Sequence, residues 1–126
     1  MSKIIHCNQL PTAVPLGYLA IIDGKTNRTS KDFLNTIWEQ LDFPKAQNHK
    51  WDAYLDWMRD LSWIDINLVS IVILDFESFL KDEPDKKKYF LSDLEKTVFP
   101  FWKNDAEIVF DNDKTKLKDI NVYCIN

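Results

Sequence analysis

Two aspartates, Asp52 and Asp56, stand four residues apart, with His49 three residues before the first. In a helix that interval places both carboxylates on one face, one turn from each other. Such a pair can accept directed hydrogen bonds from basic groups. With His49 at i, i+3 and i+7 it also offers three potential metal ligands. Nothing else in the sequence extends a metal site, and no nucleophile lies at a recognisable spacing from a base. The two glycines, Gly17 and Gly24, are too few for a Gly-rich phosphate loop. The pattern therefore favours recognition over catalysis. The reading is of a protein that is not an enzyme and uses no cofactor, with metal binding through His49, Asp52 and Asp56 as a minor alternative.

The element carrying the pair is expected to be a helix from about Trp51 to Leu61. Tyr54, Trp57, Met58 and Leu61 recur at i, i+3, i+4 and i+7, a stripe that faces a core. Asp52, Asp56 and Arg59 fall on the opposite side. Asp52 lies in the first turn, where the positive end of the helix dipole favours it. Asp56 lies beyond that help, and Lys45, Lys50 or Arg59 can shield it. Trp51 borders the acidic face and Trp63 follows the helix, so aromatic area lies beside the carboxylates. That combination suits a recognition surface.

Around this helix the sequence predicts an α/β scaffold. Leu16 to Ile22, ending in the turn dipeptide Asp23-Gly24, reads as a buried strand. Thr29 or Ser30 can cap a first helix with Asp32 in its opening turn. Its apolar face is Phe33, Leu34, Ile37, Trp38 and Leu41, and Phe43-Pro44 stops it. A loop from Lys45 to Lys50 leads into the acidic helix. Val69 to Leu74 predicts a second strand and Asn121 to Asn126 a third. The charged run Lys81 to Lys88 reads as a solvated loop. Ser92-x-x-Glu95 has the form of a capping box opening a third helix, with Leu94, Val98, Phe99 and Trp102 on its apolar side. Pro100 should kink or end that helix. Ala106 to Phe110 is read as a further strand or a short extension. Strands separated by helices imply a small, largely parallel sheet of about three strands packed with helices.

Composition narrows the class. The 126 residues are 45% hydrophobic and 29% charged, enough apolar material for one domain over residues 1–126 and too little charge for disorder. A net charge of −4 argues against direct nucleic-acid binding. No apolar run approaches the roughly 20 residues of a membrane span, and the N-terminus lacks a signal core. Cys7 and Cys124 read as buried or half-buried free thiols. A cytoplasmic protein is expected.

The block from Pro44 to Trp63 resembles the barstar family of ribonuclease inhibitors. The resemblance begins at Ile22-Asp-Gly24 and continues through Thr29-Ser-Lys-Asp-Phe-Leu34 and Leu41-Asp-Phe-Pro44. Asn48-His-Lys-Trp-Asp-Ala53 and Tyr54-Leu-Asp56 then align with the family's recognition helix. The resemblance implies a small α/β fold with a three-stranded parallel sheet. It also implies a basic ribonuclease or nuclease toxin as partner, bound through the second helix and the loop before it, so that the chain serves as an immunity protein. Asp52 and Asp56 would then occupy the nuclease's phosphate-binding site, with Trp51, Gln47, Asn48 and Trp63 supplying surrounding contact area. Ala46, Gln47 and Asn48 depart from the family's best-known pattern, which points to a different nuclease. The alternative is a barstar-like adaptor that binds a non-nuclease protein.

Overall fold

The computed structural model describes residues 1–12 and 15–126. Four strands, β1 (Lys3–Cys7), β2 (Tyr18–Asp23), β3 (Leu68–Leu74) and β4 (Asp119–Ile125), form one parallel sheet in the order β1-β4-β3-β2. The α/β class is as expected, and the sheet has one strand more than the sequence reading assigned. The extra strand is β1, a five-residue segment in which no residue is fully buried. Its short, mixed pattern at a sheet edge leaves little periodicity to read.

Helices cover one face of the sheet. Ala20, Ile71 and Val122 line up across β2, β3 and β4 and, with Ile22, Ile73 and Cys124 one row on, form the sheet side of the core. Because strand side chains alternate, Ile21, Val72, Tyr123 and Ile5 face the other way. There Val72, Tyr123 and Ile125 are covered by Leu10 and Leu16, which lie in the connection from β1 to β2. The start of the turn after β2 is held by close approach: a Cβ on Gly24 would lie 2.1 Å from the Asp75 carbonyl oxygen.

Helix α1 (Ser30–Gln40) starts where the sequence places it. Thr29 accepts from the Asp32 amide at 3.2 Å, and its own amide donates to the Asp32 carboxylate at 3.3 Å. Phe33, Leu34, Ile37 and Trp38 are buried. Helix α2 (Trp51–Met58) is three residues shorter than expected. Leu61 turns into the left-handed region at φ +53° and is thereby fully buried, while Asp60 accepts from the Ser62 amide at 3.1 Å. That backbone conformation costs a non-glycine residue about 1–2 kcal/mol, which burial of the leucine offsets.

The region from Lys81 onward differs most from the sequence reading. Helix α3 (Pro84–Asp93) begins inside the run expected to be a loop, with Pro84 in its first turn, where no amide partner is needed. Ser92 is therefore mid-helix, and Ser92-x-x-Glu95 is not a capping box. Glu83, just ahead of α3, instead turns its carboxylate to the start of α1, accepting from the Ser30 amide at 2.7 Å and hydroxyl at 3.1 Å. Nor does Pro100 end the helix. Two π-helical turns, Leu94–Val98 and Phe101–Asp105, carry it on to α4 (Ala106–Val109), so Ala106 to Phe110 is an extension and not a strand. In regular α geometry the proline ring would collide with the Lys96 carbonyl; the wider turn just before it, closed by Phe99 N–H to Leu94 O, provides the room. Among the described residues, no helix is long and apolar enough to cross a membrane.

Candidate functional site

The inner side of α2 is held by aromatic packing and by indole hydrogen bonds. Tyr54 is fully buried, its ring edge-on to Phe33 at 5.2 Å and to Trp51 at 5.3 Å. Burial, with Asp93 adding to it, pushes the Tyr54 hydroxyl well above the ordinary phenol range. Met58 is buried too, and its carbonyl accepts from Trp102 Nε1 at 2.9 Å. The helix is thus seated both on α1 and on the long helix that runs from Pro84 to Val109.

Trp51 and Trp63 flank the acidic face and are both half-buried. Trp51 Nε1 donates to Asp93 at 2.8 Å, and Trp63 Nε1 donates to the Leu41 carbonyl at 2.9 Å. Trp57, placed by the sequence in the core stripe, is half-buried and packs its ring against Trp63 at 5.7 Å. The indoles therefore fix the helix and the chain before it while leaving part of each ring at the surface. Trp38 adds a third brace, donating to the Pro44 carbonyl at 2.8 Å.

The outer side of α2 carries Asp52 and Asp56, both exposed. Among the described residues the Asp52 side chain makes no hydrogen bond or ion pair. Asp56, 71% exposed, is bound at 2.8 Å by Arg59, three residues on. Arg59 also donates through Nε to the Leu55 carbonyl at 3.1 Å. So exposed an i, i+3 pair adds only a few tenths of a kcal/mol to stability. Its larger effect is to occupy one oxygen of the Asp56 carboxylate. Gln47 and Asn48 are exposed in the loop before the helix. From Lys45 to Asp60 the formal charges balance, Lys45, Lys50 and Arg59 against Asp52, Asp56 and Asp60. The face offers directed acceptors more than a strong negative field.

His49 does not join the aspartates. Its ring stacks on Trp38 at 4.4 Å with an 11° interplanar angle, and Nδ1 meets Asn35 Oδ1 at 2.7 Å. Among the described residues no group of three or more His, Cys, Asp or Glu side chains is placed to hold a metal ion.

Sequence reasoning missed the part of this surface supplied by α3. Lys86 places its ammonium 5.7 Å from the centres of both the Trp51 and the Tyr89 rings, and Tyr89 is 54% exposed. With Asp93 holding the Trp51 indole, α3 forms a wall beside the first turn of α2. The lysine run at 86–88 was the available signal, and its reading as a loop hid the i, i+3 spacing of Lys86 and Tyr89.

A protein-family model described as Barstar (barnase inhibitor) matches residues 18–111. Neither curated proteins nor solved structures give a match to the chain. The matched span covers most of the chain and runs from β2 through α4, so it contains α2 and the loop before it. This chain belongs to the barstar family.

Proposed function

We propose that this protein inhibits a basic ribonuclease by laying the outer face of α2 and the preceding loop into the enzyme's phosphate-binding site. The observation that carries the reading is the exposure of Asp52 and Asp56 on a helix whose inner side is locked into the core, within a family described by its inhibition of barnase. A rigid helix keeps its two carboxylates where a substrate's anionic groups would lie, so little ordering cost is added on binding. Gln47 and Asn48 extend the contact toward the loop. Trp51 and Trp63 supply half-buried aromatic area at its two ends. In this role the protein is an immunity factor, working in the cytoplasm where a nuclease toxin would otherwise cleave RNA.

The test is an RNA-cleavage assay with barnase and with any nuclease encoded beside this chain's gene. Excess protein should suppress at least one of these activities, and Asp52→Ala should reverse the suppression mainly by speeding dissociation, since a partner cation is left buried and unpaired. Full nuclease activity in the presence of excess protein, for every basic ribonuclease tried, would remove the proposal.

A further inference from the structure

The ion pair on the outer face of α2 bears on which nuclease fits, an inference that rests on the reading above. Arg59 reaches back along the helix with two donors engaged, Nη2 to Asp56 Oδ1 at 2.8 Å and Nε to the Leu55 carbonyl at 3.1 Å. Its side chain keeps about a third of its surface exposed, 35%, so the cation is fixed in place yet visible to a partner. Asp52, one turn earlier, has no such neighbour bound to it among the described residues. The two carboxylates are therefore inequivalent: Asp52 is an open acceptor, and Asp56 is already half of an ion pair.

We propose that Arg59 is a specificity-determining residue, which favours a partner offering a cation to Asp52 and a carboxylate to Arg59 and weakens binding to one offering cations to both aspartates. The physical basis is the cost of bringing a second cation to a site that already holds one. A partner arginine aimed at Asp56 must share the carboxylate with Arg59 or displace it, and like charges brought together at an interface oppose binding. A partner carboxylate opposite Arg59 would instead complete an alternating row of charges. Lys45 and Lys50, both exposed before the helix, bias the surroundings in the same direction.

Barnase serves as the basic probe. Arg59→Gln should inhibit it at roughly tenfold lower concentration than the wild type, equivalent to about 1.4 kcal/mol. Inhibition by the variant should also depend more steeply on salt. Arg59→Lys keeps the charge and should stay close to wild type. The gain must vanish in the double variant Arg59→Gln/Asp56→Asn, since it is argued to pass through Asp56. Melting temperatures of all variants confirm that each is folded. Equal or weaker inhibition by Arg59→Gln, including no inhibition of barnase by either protein, overturns the inference. Persistence of the gain in the double variant does so as well. The underlying reading is judged apart from this ranking. Wild type active against a neighbouring nuclease, with both proteins inert toward barnase, sinks the role of Arg59 alone. Wild type inert toward every basic ribonuclease sinks the reading itself.

Discussion

The two sides of helix α2 are built on different terms. Inward, the side chains are packed away: Tyr54 and Met58 are fully buried, and the Met58 carbonyl carries the Trp102 indole. Outward, among the described residues, Asp52 has no partner and Asp56 holds only an exposed pair with Arg59. The inner side sets where the helix lies and contributes most of its stability. The outer side adds little stability, which leaves its residues available for recognition. This division predicts that substitutions on the two sides fail in different assays.

The largest effect is expected from Tyr54→Ala. Removing a buried aromatic ring that touches Phe33 and Trp51 should cost about 3–5 kcal/mol, read as a shift of the urea midpoint with an unchanged slope. A loss below about 1 kcal/mol would mean that α2 is not anchored as described. Trp102→Phe should cost less, about 1–2 kcal/mol, by leaving the Met58 carbonyl without its donor and a small void beside it. Tyr54→Phe sharpens the comparison from the other direction. The buried Tyr54 hydroxyl has no hydrogen-bond partner among the described residues, so its removal should be neutral or stabilising by up to about 1 kcal/mol. A clear destabilisation by Tyr54→Phe would show that the hydroxyl is satisfied.

The same contrast of committed and open faces extends to the sheet, where it takes the form of a pH dependence. Cys124 is buried on the helix-covered face, and Cys7 is half-buried on the other. Burial pushes the Cys124 thiol up to about 12, against a smaller opposite pull from Lys87. An unfolded thiol ionises near 9, so the folded form holds its proton across a window from about 9 to about 12 in which the unfolded form has lost it. The stability linked to this thiol is complete below that window and falls as pH rises through it. Urea unfolding at about pH 8 and about pH 10 should show the decline, and Cys124→Ala should lessen it. An identical decline in the variant would assign it to other groups.

How much of this was legible in the sequence follows from the same physics. The helix cap at Thr29 or Ser30, the apolar face of α1 and the three strands β2, β3 and β4 were readable because each is a local signal. The position of Asp52 and Asp56 on one exposed face was readable for that reason too. The strand β1 was not, because a five-residue edge segment with no fully buried residue lacks alternation. The helix through Pro100 was hidden by a rule that holds for α geometry and is relaxed by π turns. Two partnerships that shape the site, Trp51 with Asp93 and Trp63 with the Leu41 carbonyl, join residues 42 and 22 positions apart. No spacing rule reaches across that distance. The likeness to barstar inhibitors was carried by the local block around α2 and now rests on a match from residue 18 to residue 111.

The smallest expected loss of stability belongs to Asp52→Ala, and it is the most informative about the comparison. Asp52 sits in the first turn of α2, where a carboxylate interacts with the unpaired amides and the positive end of the dipole. Removing it should cost about 0.3–1 kcal/mol, shrinking as salt screens the interaction. Against that small loss, inhibition of a ribonuclease that the wild type blocks should weaken by well over tenfold, since an anchor carboxylate leaves a partner cation buried and unpaired. Stability measured by urea and inhibition measured by RNA cleavage should thus move by very different amounts. If both fell together, Asp52 would be holding the helix in place. If neither fell, the outer side of α2 would not be the binding face, and contact would have to come from the wall formed by Lys86 and Tyr89.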